Sequence, residues 1–191
     1  MYSTKSRRGV RSIAGMCILG FAGWLIWSPS ITRAEGPAES SKQTSSGDEK
    51  AVIAKVIKDS ICWALTKDRA LQENTMAHDE DLFYFWTGST HTVAGWKQHL
   101  KTFDTYMDPR FKAIRTEVRD LRIHLSRSGD VAWYSANLDD VVEWEGKRGG
   151  GEDIRWTGVL EKRDGKWVIV QMHASLAADK VRESAKKESS P

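Results

Sequence analysis

The stretch that most constrains this chain is Trp156 to Ser175, WTGVLEKRDGKWVIVQMHAS. Two strand-like runs flank Arg163-Asp164-Gly165-Lys166. An Asp-Gly pair between such runs supplies the positive backbone angles of a tight hairpin turn. In the first arm Ile154, Trp156, Gly158 and Leu160 share one face, and Arg155, Thr157, Val159 and Glu161 share the other. In the second arm Val168, Val170, Met172 and Ala174 form an apolar set. Trp167, Ile169, Gln171, His173 and Ser175 form the mixed set opposite. One face reads as an interior, the other as a half-wet or partner-covered surface.

The beginning of the chain reads as a targeting segment. Lys5, Arg7, Arg8 and Arg11 make a basic region, Ile13 to Trp27 is uncharged and largely apolar, and Thr32-Arg33-Ala34 offers small residues around a cut after Ala34. That order is the order of a secretory signal peptide, which predicts a secreted or periplasmic protein. The apolar run, about 15 residues, is short of the roughly 20 a spanning helix needs. An uncleaved N-terminal anchor is the alternative, because tryptophans close the run like interfacial residues. Membrane association is expected only in that case.

The whole chain has 29 basic and 26 acidic residues, but five of the basic ones and none of the acidic ones lie in residues 1–34. The remainder is left at a net charge of −2, so no clustered basic face for nucleic acid is expected. Cys62 is the lone cysteine outside that segment, which excludes an internal disulfide there and reads as a small buried hydrophobe.

Residues 35–49 are rich in Ser, Gly and charge and read as a flexible linker. Residues 179–191 read as a charged, disordered tail. The ordered domain is expected over 50–178, enough for one core. Lys50 to Lys67 has apolar residues at helical spacing: Ile53, Ile57, Ile61, Ala64 and Leu65. Asp68 is placed to cap a second helix running to about Ala77. Leu82 to Trp86 is a short aromatic strand, apolar on both faces. Ser89 to Thr92 offers caps for a third helix striped by Trp96, Leu100, Phe103 and Met107, which Asp108-Pro109 ends. Strands follow over 115–125 and 131–145, then a loose loop over 146–151 and the closing hairpin. The layout is α+β, with helices on one face of a curved sheet.

This order resembles the NTF2-like superfamily, and in style its SnoaL-like and ketosteroid-isomerase-like members. The residues that carry the resemblance are His78 to Leu82 (HDEDL), Gly95-Trp96, Trp156 to Leu160 (WTGVL) and Arg163 to Ser175 (RDGKWVIVQMHAS). The last piece is also similar to the association domain of calmodulin-dependent kinases. The resemblance implies a cone: three N-terminal helices packed on a curved, mostly antiparallel sheet that encloses a pocket. It also implies a homodimer through the sheet's outer face, which the hairpin faces would assign to Arg155, Thr157, Gln171 and His173.

By the same analogy the face of the long strand bearing Trp133, Ser135, Asn137, Asp139 and Val141 lines the pocket. Asp139 is read either as a buried pocket carboxylate or as a solvated residue near the open end. Pocket wall is further expected from Tyr84, Trp86, Tyr106, Trp156, Leu160 and Met172. Several tryptophans with a few polar groups describe a site for a small, partly apolar molecule. The alternative is an enzyme of the SnoaL or isomerase type, with proton transfer by Asp139 or Asp79. However, isomerases of this kind carry their acid near the end of the first strand, where this chain has Trp86. A third reading is a structural dimerisation module. His78, His91, His99, His124 and His173 show no metal-ligand spacing, and no cofactor is expected.

Overall fold

The computed structural model describes residues 46–88 and 91–182. The expected signal peptide, most of the linker and the end of the tail lie outside them. The elements are α1 (Ser46–Thr66), α2 (Arg69–Glu73), β1 (Phe83–Phe85), β2 (Thr92–Ala94), α3 (Trp96–Leu100), α4 (Thr102–Tyr106), β3 (Phe111–Leu125), β4 (Val131–Trp144), β5 (Lys147–Arg163) and β6 (Lys166–Ser175). They build an α+β fold around one six-stranded sheet of order β2-β1-β6-β5-β4-β3. β1 runs parallel to β6, and every other neighbouring pair is antiparallel. None of the described helices is long and apolar enough to cross a membrane.

Local chemistry explains most of these elements. Asp68 caps α2, its carboxylate accepting from the Leu71 amide at 2.9 Å. Asp164 and Gly165 both have positive φ, 49° and 77°, so the β5–β6 connection is the two-residue turn that Asp-Gly favours. α1 lies against β3 and β6, and Ile53 and Ile57 are fully buried beneath it. Val52 and Leu65, on the flanks of that stripe, are exposed. The core beneath joins Leu82, Tyr134, Leu138, Ile154, Trp156, Leu160, Ile169 and Met172.

Several boundaries differ from the sequence expectation. α1 starts at Ser46, inside the expected linker. Its first turn is held by Glu49, which accepts from Lys162 at 2.6 Å and Trp167 at 2.5 Å on the closing hairpin. Thr92–Ala94 is a strand paired with β1 rather than a helix cap. The expected third helix is split into α3 and α4 at Lys101. The stretch 147–151, expected as loop, pairs with β4. The first strand is covered on one side only, since Tyr84 is buried and Phe85 exposed. Residues 178–182 are helical, across the expected start of the tail at 179.

The two hairpin faces are reproduced on β5, with Ile154, Trp156, Gly158 and Leu160 all buried. On β6 the assignment holds for Val170, Met172 and Ala174, all buried, and fails at Trp167, Val168 and Ile169. Val159 pairs with Gln171 but Leu160 pairs with Ile169, so Val170 is the extra residue of a bulge. The slip turns Trp167 and Ile169 inward in place of Val168.

Over residues 132–138 of β4 the face assignment is the reverse of that expected, whereas Asp139 and Val141 of the expected set are buried, at 5% and 3% exposed. The inward set is Ala132, Tyr134, Ala136, Leu138 and Asp140, all buried. Trp133 and Ser135 lie on the outer face, and Trp133 is 47% exposed. The inward set is small because its neighbours are large: Trp156 stands beside Ala136, and the Tyr134 ring lies over Gly158.

Candidate functional site

The inner face of β4 carries one carboxylate, Asp140, between Leu138 of the main core and Val142 of a second aromatic cluster. That cluster holds Trp63 of α1, Phe103 and Tyr106 of α4, and Phe111 of β3. Its rings meet edge to face, Trp63–Tyr106 at 5.5 Å and Tyr106–Phe111 at 4.9 Å between centroids. Asp140 is 7% exposed, and no ion pair reaches it among the described residues. Burial therefore raises its pKa to about 6. Thr116 is directly across the β3–β4 ladder, and its hydroxyl opposes that rise. Thr116 Oγ1 is itself buried and lies outside regular hydrogen-bond geometry with any group. The Cys62 thiol and the Tyr106 hydroxyl both feel the Asp140 charge, and burial pushes Tyr106 up to about 12.

On the other side of Asp140 the neighbouring strand offers no side chain. Asp140 pairs with Gly151, Val141 with Gly150 and Val142 with Gly149. Gly150 is required there, because it has φ of 78° and a Cβ would sit 1.9 Å from the Asp140 carbonyl oxygen. At Gly151 a Cβ would meet Ile154 Cδ1 and Leu176 Cδ2 at 3.3 Å, so the flank of the carboxylate has an apolar rim.

A second polar feature runs through the core beside this seam. His99 Nε2 donates to Gln72 Oε1 at 2.9 Å, and the Tyr84 hydroxyl donates to His99 Nδ1 at 2.9 Å. Burial lowers the His99 pKa to about 4 and pushes Tyr84 well above its ordinary value. His99 is thus a neutral imidazole with a fixed tautomer. On its open side it stacks on Trp96, which stacks in turn on His78 at 3.9 Å.

The residues expected from sequence are dispersed. Trp156, Leu160 and Met172 are core side chains, with Trp156 completely buried. Tyr84 belongs to the His99 chain, Tyr106 borders Asp140, and Trp86 is half-buried at the end of β1. Asn137 is on the outer face, donating to Asp120 at 2.8 Å.

Asp139 is also on the outer face, roofed by its partners. It accepts from the Asp153 amide at 2.9 Å and from Arg119 at 2.8 Å, and Arg115 is 3.4 Å away. The Asp153 amide first, then Arg119, hold its pKa below the ordinary carboxylate value. Such an ion-paired group is a poor proton carrier near neutrality. Asp79 is exposed and paired with Arg163, which also binds Asp81 at 3.1 Å. Arg155, Thr157 and His173 are exposed on the outer face, and Gln171 is half-buried there. Thr157 and Gln171 border a hollow of about 370 Å³ with Trp133 and His124.

The residue that sequence reasoning missed is Asp140. It was next to a named candidate, and the signal was parity: it shares a face with Ala132, Tyr134, Ala136 and Leu138.

The sequence matches the SnoaL-like domain family over residues 53–179. A search of curated proteins found no match. Among solved structures, an NTF2-like protein from Cytophaga hutchinsonii is 16% identical with a TM-score of 0.55, over 67% of this chain and 98% of that one. A proposed dehydratase of the NTF2-like family from Streptomyces avermitilis is 14% identical with a TM-score of 0.56, over 66% and 94%. A proposed calmodulin-dependent kinase II association domain from Exiguobacterium sibiricum is 9% identical with a TM-score of 0.54, over 66% and 92%. At these identities the likeness is one of fold. By its sequence match and its sheet order, the chain belongs to the SnoaL-like domain family and has the NTF2-like fold.

Proposed function

We propose that this is an exported domain that binds a small, partly apolar molecule at the seam between α1, α4 and the sheet, with Asp140 as its polar anchor. The observation that carries the reading is a carboxylate on the inner face with no ion pair among the described residues, set between Leu138 and Val142 of two apolar clusters. Buried carboxylates are costly and are ordinarily paired. A leucine or valine would continue the face at that position, as Leu138 and Val142 do on either side. The aromatic wall belongs to Trp63, Tyr106 and Phe111 in place of the Trp133 and Trp156 expected from sequence. Export rests on the basic, apolar and small-residue order of residues 1–34.

A second reading is an acid–base enzyme using the same seam. It is favoured by a pKa of about 6 at Asp140, close to neutral working pH. The dehydratase proposed for one protein of this fold is compatible with it.

Native mass spectrometry of the full chain purified from its own host tests the binding reading. A retained small molecule, absent from Asp140→Asn prepared in parallel, is expected. A ligand held equally by both proteins would place the site elsewhere.

A further inference from the structure

We propose that the molecule taken by the seam is a protonated amine, its ammonium on Asp140 and its carbon skeleton against the rings of Trp63 and Tyr106. This rests on the seam being the binding site and names the chemistry that fits it.

The two adjacent carboxylates of β4 show what is special here. Asp139 is supplied with two guanidinium groups and a backbone amide. Asp140 has none of these among the described residues, although the domain is rich in arginine. Across the ladder from it is the Thr116 hydroxyl on β3, which has no regular partner of its own among the described residues. A buried anion lacking a resident cation is complementary to a cation that arrives from outside. An anionic ligand would be repelled by Asp140, and a neutral one would leave its charge uncompensated.

The surroundings favour an organic cation over a metal ion. No group of three or more His, Cys, Asp or Glu side chains suited to a metal occurs among the described residues. The groups that feel the carboxylate's charge are Tyr106 of α4, whose ring packs edge to face on Trp63, and Cys62 of α1, while Ile154 and Leu176 stand around the side-chain-free Gly151 on the other side. A carboxylate beside aromatic faces is a common way to hold an alkylammonium group. The rings of this cluster already draw cations at its rim. Arg69 sits 4.5 Å from the Phe103 centroid, and Arg110 sits 4.7 Å from that of Trp144. Both guanidiniums are committed to their own acids, Arg69 to Glu73 and Arg110 to Asp108 and Glu145. The inner charge is thus left for a ligand.

The test is calorimetric titration of the full chain with benzylamine and with benzyl alcohol, its neutral analogue, following tryptophan emission in parallel. Benzylamine should bind about tenfold or more tightly than the alcohol at about pH 7.5. That preference should vanish on acidification to about pH 5, where Asp140 takes up a proton. The titratable groups facing Asp140 are Cys62 on α1 and Tyr106 on α4, and both stay neutral over that range. Asp140→Asn should lose the amine preference and keep the alcohol binding. Tyr106→Leu, which keeps the packing apolar, should reduce the preference several-fold. Alcohol binding equal to or tighter than amine binding, or a preference that survives in Asp140→Asn, overturns the amine assignment and leaves the seam as the site. Failure of both probes to bind overturns the amine assignment and the seam together.

Discussion

Asp139 and Asp140 are sequence neighbours on β4 that face opposite sides of the sheet. Asp139 is held outward by the Asp153 amide, Arg119 and Arg115, and its pKa falls. Asp140 is held inward with no charge partner among the described residues, and its pKa rises to about 6. Alternation along the strand sends the two side chains to opposite faces, and the difference lies in what meets them there, since both are buried, Asp139 at 5% and Asp140 at 7% exposed.

Asp140 should therefore destabilise the fold at neutral pH. Its folded pKa lies above its unfolded one, so its contribution is fully present below pH 3.8 and is lost as pH rises through about 6. The size is about 3 kcal/mol at most, from roughly 1.4 kcal/mol per pKa unit. Asp140→Asn should raise the urea midpoint at about pH 7.5 and leave it unchanged near pH 3.5. A variant less stable than wild type at neutral pH would mean the carboxylate is compensated in the fold.

His99 has the opposite sign. Its folded pKa, about 4, lies below the unfolded value near 6.5, so the neutral ring stabilises fully above that value and the benefit is lost as pH falls towards 4. The magnitude, again about 3 kcal/mol, nearly offsets the Asp140 contribution over the same window. Nitrogen-detected NMR should show His99 protonated on Nε2 alone down to about pH 4.5, with Nδ1 accepting from Tyr84. In Asp140→Asn the offset is gone, so stability should fall more steeply between about pH 6.5 and 4 than in wild type. Titration of His99 near 6.5 would contradict both.

Packing at Gly158 is a third test. A Cβ there would sit 2.6 Å from Tyr134 Cε1 and 2.6 Å from the Gln171 carbonyl oxygen. Gly158→Ala should cost about 2 kcal/mol by forcing the Tyr134 ring aside. Trp156→Ala should cost about 3–5 kcal/mol, as a fully buried indole, whereas Trp133→Ala should change monomer stability by no more than about 0.5 kcal/mol. Equal losses for the two tryptophans in thermal unfolding would refute the face assignment of β4.

Association through the outer face is a fourth. We propose that Arg155, Thr157, Gln171 and His173, with exposed Trp133 and Phe85, meet a second copy of the chain. Light scattering at micromolar concentration should give a dimer mass for wild type and a monomer for Thr157→Arg. A wild-type monomer would rule the interface out.

The hairpin was legible from residues 156–175 because its causes are local. Asp164 and Gly165 carry the backbone angles, and period-two apolarity on β5 marks the buried face. The cap at Asp68 and the stripe of Ile53 and Ile57 were legible for the same reason. The bulge at Val170 was not, because an extra residue in β6 is defined only against its partner β5. On β4 the largest apolar residue, Trp133, pointed to the wrong face. Its inward neighbours Ala132 and Ala136 are small to admit Tyr134 and Trp156, a volume match that only assembly creates. The sequence by itself determined the α+β class, the four closing strands, the closing turn and the family. The tertiary structure decided which of two adjacent buried aspartates stays charged and which is pushed towards neutrality, because Arg115 and Arg119 of β3 and the Asp153 amide of β5, remote in the chain, reach Asp139, while burial at Asp140 is met by no ion pair among the described residues.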